Sequence, residues 1–555
     1  MSRNASVRNL AERPGASPEQ QRPPSSGEGR RAWRFALTGL VGVALYVLLP
    51  RYAPLPDAAS FSGSAAAKPA GASAKPARSS AAPAEAAKAT AAAPTAAQPA
   101  SDEARAKAEK KRREDWVKAL RLFAIFVATI VGIIARPLPM GAVTLVGVTA
   151  VALTGTLPLS DALSGFSEKT LWLIIVAFMF ARGFIKTGLG NRIAFGFMRL
   201  LGRKTLGLAY GLSATELVLS PLIPSNTGRA AGVIMPVMDS LSRAYGSSPE
   251  QGTSRRIGSF LTLSVFQCDV VISAMFLTAM AANPLAQKFA ADLGVTITWS
   301  TWALAASVPG LLSLAIIPWL LFRLHRPEVT ETPEAVEMAR ARLAALGPMS
   351  RAEWTLAVVF AVVLGLWMFG DALGVDATTV ALVALGALLV AGVLGWSDVL
   401  AEKNAWDVLV WTGALIMMAG FLNKLGLIPW FSRAVGASAA GLRWELGFLA
   451  LGLAYFYAHY FFASMTAHVS SMYAAFLAVA ITLGAPPLLA ALVLAFFSNL
   501  HASMTHYGTG PAAAIFGLGY VPIGTWWRLG LLVSVVNIAI WLVAGGLWWK
   551  LIGVW

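Results

Sequence analysis

The sequence predicts an all-α polytopic membrane protein. Apolar residues make up 57% of its 555 positions and charged residues only 13%. The mean hydropathy is +0.64. Windows of about 20 mostly apolar residues, the length needed to cross a hydrocarbon core roughly 30 Å thick, recur from about residue 119 to the C-terminus. A soluble chain of this composition would have to expose large apolar patches. β-Barrel spans would read as short alternating segments, which these continuous runs are not.

Residues 1–112 stand apart as an Ala/Pro/Arg-rich extension that predicts disorder, above all in the Ala/Pro/Lys tract near 64–100, which has almost no large apolar side chains. Within it lies one short hydrophobic segment, 35–50 (Phe35–Pro50), preceded by Arg30, Arg31 and Arg34. It reads as an extra span, an uncleaved anchor or an interfacial helix. Lys110, Lys111, Arg112 and Arg113 precede the next apolar run and place that point in the cytoplasm; the basic flank of 35–50 asks for the opposite topology if that segment also spans.

From 113 to 555 the chain reads as one membrane domain. Apolar stretches lie near 119–134, 139–158, 171–186, 205–224, 230–246, 256–282 and 300–323, and then near 352–370, 376–395, 406–422, 443–459, 461–478, 486–500 and 530–549. A polar segment at about 324–351, with Arg323, Arg326, Arg340, Arg342 and Arg351 among several glutamates, separates the two halves and is expected in the cytoplasm. Repeat 1 then covers about 113–323 and repeat 2 about 352–555.

The halves echo each other. Gly183-Phe184-Ile185-Lys186 follows an apolar run in the first, and Gly420-Phe421-Leu422-Asn423-Lys424 in the second. Ser225-Asn226-Thr227-Gly228 follows the former and Ser464-Met465-Thr466-Ala467 the latter at matched distance. Ala282-Asn283-Pro284 pairs with Gly510-Pro511-Ala512. Helix breakers at corresponding places in two halves point to a transporter site at the repeat interface.

These clusters suit an anion. Pro224 to Gly228 puts a helix breaker, hydroxyl and amide groups and a glycine inside an apolar run; unwound backbone at membrane depth is tolerated only where protein buries it or a cavity needs it. The half-helix that follows presents free N–H groups at its positive end. The bland alternative is an ordinary Ser/Asn cap between helices. Residues 502–511 form the densest polar interruption: Thr505, Thr509, Gly508 and Gly510 can make a backbone nest, and His506 can hydrogen-bond substrate or sense protonation. Four of the five histidines fall in the second half; without a carboxylate or thiolate beside them, hydrogen bonding between helices is favoured over zinc. Cys268 is the single cysteine, which excludes an internal disulfide framework. Glu216 and Asp269 are acids within apolar stretches, and Arg229 either draws an anion to the first cluster or pairs with Glu216. The net charge of +16 is scattered through short loops and the N-terminal region, as membrane topology requires, rather than gathered for nucleic acid.

At these residues, over approximately 113–555, the chain resembles the divalent-anion/sodium symporter family, closest to the branch of the 2-oxoglutarate/malate translocator and the citrate/succinate exchangers. The resemblance rests on Ser225-Asn226-Thr227 with Arg229 and Val233-Ile234-Met235-Pro236, on Phe276 to Pro284, on Tyr457 to Ser464, and on Thr505-His506-Tyr507-Gly508-Thr509-Gly510-Pro511. It implies an inverted-repeat, elevator-type transporter with two re-entrant hairpins and discontinuous helices, working as a homodimer in membrane lipid. Its cargo would be small di- or tricarboxylates: 2-oxoglutarate, malate, succinate or citrate. Carried over by motif, Ser225, Asn226 and Thr227 form one substrate tip, faced by Thr278, Asn283 and Pro284. Ser464 and Thr466 form the second, opposed by Thr509, Gly510 and Pro511, with Thr505 and His506 beside it. Sodium, if bound, sits at Ser225, Asn226 and Ser464; no other cofactor is expected.

One departure matters. Sodium-coupled relatives repeat Ser-Asn-Thr in the second half, whereas this chain has Ser464-Met465-Thr466, and a thioether is a poor sodium ligand. The expected mechanism is therefore dicarboxylate exchange, with sodium- or proton-coupled symport as the alternative. An ion channel would need a continuous polar pore, and a membrane enzyme an acid/base or metal constellation that the sequence lacks. The leader does not resemble a plastid transit peptide, so the bacterial inner membrane is the expected location.

Overall fold

The computed structural model describes residues 27–53, 55, 102–438, 441 and 443–555. The Ala/Pro/Lys tract lies outside these. The described residues are helical apart from connecting segments and one isolated bridge between Lys204 and Glu331.

Nine helices among the described residues are long and apolar enough to cross a membrane, from Trp33–Tyr52 to Ile523–Leu551. Large apolar side chains stand outward on several helices: Val390 is 91% exposed, Leu153 82% and Leu551 78%, values that only a lipid surround makes favourable. The protein is therefore a multi-pass membrane protein. At its centre lies Gly258–Met275, in which every residue is buried, packed against Pro487–Leu500, buried from Leu489 onward. A helix buried on all faces belongs in such a core.

Both central helices end in a break. Gly258–Met275 stops at Phe276 in extended conformation (φ −129°, ψ 141°), and helix resumes at Ala282–Asp292. Pro487–Leu500 passes through a 3₁₀ turn at His501–Ser503 and resumes at Gly510–Phe516. Beside each lies an interrupted pair of helices. Thr205–Leu219 is followed by a break and then by helix from Asn226, with a π-helical stretch at Ala230–Ile234, to Ala244. In the second half Trp444–Ala458 is followed by a break and by helix from Met465, with a π-helical stretch at Val469–Tyr473, to Thr482.

One expectation changes. Helix begins at Asp102, ahead of the expected boundary at 113, because Ala, Lys, Glu and Arg between 102 and 113 are good helix formers and extend Asp102–Ala135 N-terminally. The segment 35–50 lies in the 26-residue helix Gly27–Tyr52, about 39 Å long at 1.5 Å per residue, where Tyr46 receives the Arg121 guanidinium at 5.4 Å. The polar segment between the halves contains the helix Pro333–Leu346, with Pro at its start and Ala335, Val336 and Ala339 on its buried face. It docks on the first half: Thr205 N donates to Thr330 O at 3.0 Å and Val329 N to Arg256 O at 3.0 Å.

Candidate functional site

Each of the two helix pairs ends in a capped tip. In the first, Ser225 has extended backbone (φ −120°, ψ 102°) and its Oγ accepts from Gly228 N at 2.9 Å. In the second, Ser464 (φ −153°, ψ 125°) accepts from Ala467 N at 3.3 Å. Both serines thus satisfy a backbone donor that a helix start leaves open. Each cap is followed after one turn by a π-helical stretch, a distortion found mostly inside α-helices and often at functional sites.

Asn226 makes the contact that joins the halves. Its Oδ1 accepts from Thr227 N at 2.9 Å, and its Nδ2 donates to Thr509 Oγ1 at 3.1 Å. Thr509 is the residue before helix Gly510–Phe516. Gly510 follows because of close approach: a Cβ there would lie 2.3 Å from Thr227 Oγ1. Thr509 and Gly510 therefore stand against the first tip, whereas motif order alone set them against the second; the discontinuous helix of each half crosses to the other, and sequence spacing carries no record of that crossing.

Together the tips open on a cavity of about 960 Å³. Ser225, Asn226, Thr227, Ser464, Met465, Thr466, Thr509 and Gly510 contribute to its wall, with Met280 and Ala281 from the other break. Thr278, Asn283, Pro284, Thr505, His506 and Pro511 lie outside that wall. Thr278 Oγ1 donates to Pro221 O and accepts from Trp299 Nε1 at 3.1 Å. Asn283 Nδ2 donates to Ser273 O at 2.8 Å and to Phe276 O at 2.9 Å, covering carbonyls that the end of the central helix leaves open, and its Oδ1 accepts from Asn499 at 2.8 Å. His506 Nδ1 accepts from Trp527 Nε1 at 3.1 Å. Pro511 is buried in the first turn of its helix, and the Thr505 hydroxyl is buried. These residues shape the breaks rather than face the cavity.

Arg229 is wholly buried and pairs with Glu216 at 3.4 Å and Asp269 at 3.7 Å. It also donates to Ile223 O at 2.6 Å, to Ala279 O and to Ser273 Oγ at 3.1 Å. Of its two expected roles the structure selects the salt bridge: the guanidinium ties the first tip to the first break and does not reach the cavity.

His459, His468 and His501 meet behind the second tip, their candidate ligand atoms within 4.8 Å of one another. Their rings stack, at 3.6 Å and 14° for His459 and His501 and at 4.6 Å and 26° for His468 and His501. Near-parallel rings send their in-plane lone pairs side by side, whereas a zinc site needs nitrogens converging at about 2.0–2.1 Å. His459 Nε2 lies 3.0 Å from Gly508 O, and since a carbonyl only accepts, the ring donates there and holds the 505–509 segment.

Two cavity residues escaped sequence reasoning. Arg136 and Asp407 are the charged side chains of the wall among the described residues. Asp407 lies against the N-terminus of helix Met140–Leu153, where a Cβ on Gly141 would come within 2.4 Å of its Oδ1. Arg136 follows helix Asp102–Ala135 and precedes Pro137. A charge flanking an apolar run reads as an ordinary span end, so only the Pro-Leu-Pro after Arg136 hinted at an unusual turn.

Comparison with known proteins adds the following. The family described as "Sodium:sulfate symporter transmembrane region" matches residues 116–555. The chain is similar to the putative malate transporter YflS of Bacillus subtilis, at 55% identity over 439 residues, covering 79% of this chain and 92% of that one. It is 52% identical over 440 residues to dicarboxylate transporter 1, chloroplastic, of Arabidopsis thaliana, covering 79% of each. In fold it is similar to the crystal structure of the Alcanivorax borkumensis YdaH transporter, with a TM-score of 0.50 and 15% identity over 72% of this chain and 88% of that one.

Proposed function

Given that the chain belongs to the sodium:sulfate symporter family of membrane transporters, we propose that it carries small di- or tricarboxylates such as malate and 2-oxoglutarate by secondary transport, most simply by exchange. The names of relatives at 55% and 52% identity speak of malate and dicarboxylates. The observation that carries the reading is the Asn226–Thr509 hydrogen bond at 3.1 Å, which brings the polar breaks of both halves to one cavity.

In this reading Ser225, Asn226 and Thr227, with the Thr509–Gly510 segment that stands against them, receive one carboxylate and Ser464 and Thr466 the other, through hydroxyl, amide and free N–H groups at helix starts. Thr278, Asn283, Pro284, Thr505, His506 and Pro511 support those groups. The matching cap and π-helical stretch of the two tips favours an inverted repeat, 113–323 and 352–555, with re-entrant hairpins at 205–244 and 444–482 that move as an elevator against the remaining helices of a homodimer. The bacterial inner membrane is the proposed location.

Exchange is preferred over sodium symport because the second tip carries the Met465 thioether where an amide oxygen would serve a hard cation. Sodium, if it is bound, would be held by Ser225 Oγ, Asn226 Oδ1 and Ser464 Oγ. Swapping equally charged anions needs no ion gradient, whereas each net charge moved against the membrane potential costs about 2.3 kcal/mol per 100 mV.

The test uses purified protein in liposomes, with labelled succinate outside. Uptake that requires internal dicarboxylate and ignores sodium is expected. Sodium-dependent uptake into empty vesicles would overturn exchange in favour of symport, and absence of carboxylate flux under either condition would overturn the substrate class.

A further inference from the structure

Arg136 combines three features. It lines the cavity of the two tips. Its Nη2 donates to Ala463 O, the carbonyl before Ser464, at 3.2 Å, and no acidic side chain pairs with it among the described residues. Its backbone is left-handed at φ 53°, the one non-glycine residue so placed among those described. An arginine in that conformation is strained, and such outliers persist where surrounding structure holds them for a purpose.

The electrostatic balance points the same way. The cavity wall holds one other charge, the Asp407 carboxylate, which lies against the start of helix Met140–Leu153. The helix starts of the tips supply only fractional positive charge, each equivalent to about half an elementary charge. A dianion entering this cavity brings two full charges. The Arg136 guanidinium is the one full positive charge on the wall among the described residues, and it rests on a neutral carbonyl, a weaker partner than a carboxylate, to which a guanidinium can donate two parallel hydrogen bonds.

We propose that Arg136 is a substrate-specificity residue: its guanidinium leaves the Ala463 carbonyl and pairs with one carboxylate of the transported anion at the second tip. This rests on the dicarboxylate reading of the same cavity. The exchange of partners also frees the second tip from the end of helix Asp102–Ala135, so that substrate arrival and release of the tip become one event. Pro137 and Pro139, which also line the cavity, stiffen the chain beyond the arginine.

The experiment pairs a change of protein charge with a change of ligand charge. Wild type, Arg136→Gln and Arg136→Lys are reconstituted, and exchange against internal succinate is measured for external succinate and for its monoamide, which keeps the shape and loses one charge. If wild type exchanges neither, the dicarboxylate reading fails and the assignment of Arg136 falls with it. If wild type exchanges succinate, the expected result is a KM for succinate raised at least tenfold in Arg136→Gln, little change for the monoamide, and an intermediate KM in Arg136→Lys. Thermal unfolding of each variant in detergent serves as the folding control, and the succinate-to-monoamide ratio, being internal to each preparation, is independent of the amount of active protein. A ratio in Arg136→Gln within threefold of wild type overturns the proposal, as does a lowered maximal rate with unchanged KM for both ligands, which would make Arg136 a latch on the second tip with no contact to substrate.

Discussion

Asn226 donates to Thr509 across 283 positions of sequence, at 3.1 Å between two buried side chains. The bond links the cap of one half to the discontinuous helix of the other, so geometry at one tip is conditional on the other half of the chain. Each side chain also faces the cavity, and its loss is expected to weaken transport and the linkage together.

Asn226→Ala and Thr509→Val should each lower exchange by about tenfold, the worth of a buried hydrogen bond of roughly 1–1.5 kcal/mol. The double variant should be less than a hundredfold impaired, because the two share one bond. Succinate binding that survives in Asn226→Ala while flux is lost would separate a transporter from a channel or an enzyme. Additive losses would show that the contact does not couple the halves.

Gly510→Ala should abolish most exchange while Gly510 itself remains a minor contributor to folding. The added Cβ would lie 2.3 Å from Thr227 Oγ1. Removing that oxygen in the double variant Gly510→Ala/Thr227→Ala should restore part of the flux; a double variant no better than the single would locate the fault elsewhere.

Arg229→Met should destabilise the protein by about 3–5 kcal/mol, since it leaves the buried Glu216 and Asp269 without their cation. Adding Glu216→Gln should recover part of the loss. Thermal unfolding in detergent checks both, and an Arg229→Met protein as stable as wild type would deny the clamp its structural role.

Stability should fall as pH is lowered from about 6.5 toward 4 through His325, which lies beyond the end of helix Trp299–Leu324. Burial, then the Arg255 and Arg528 charges, lower its pKa to about 4. Arg255 donates to Nδ1 at 2.7 Å, which leaves Nε2 to donate to Ser259 Oγ at 2.7 Å and fixes the neutral ring. Between the two pKa values the unfolded chain binds the proton and the folded one does not, so unfolding gains on acidification. His325→Gln should flatten this part of the profile of unfolding temperature against pH.

If transport is by exchange, Met465→Asn should bring a dependence on sodium, by placing an amide oxygen at the second tip. Exchange measured in sodium and in sodium-free buffer decides it; equal rates in both for the variant would show that this position does not govern ion use.

Much of the site was legible in the sequence because the membrane leaves few uses for polar breaks. Pro224 to Gly228 and Ser464 to Thr466 interrupt apolar runs, and backbone released from helix at that depth must meet a cavity or a partner. Both tips do line one cavity. Thr278 and Asn283 show the limit of that inference. They too are polar groups at a break, but they answer the open carbonyls of Pro221, Ser273 and Phe276, and composition does not distinguish a side chain that feeds the backbone from one that faces a ligand.

By itself the sequence determined the solvent of this protein and the positions of its helix breaks, because hydropathy and helix breaking are local properties that a window of about 20 residues records. Tertiary structure decided which break faces which tip, turned Arg229 inward to Glu216 and Asp269, and set Arg136 on the cavity wall. Those are relations between residues tens to hundreds of positions apart, set by how helices pack in three dimensions, and no local pattern carries them.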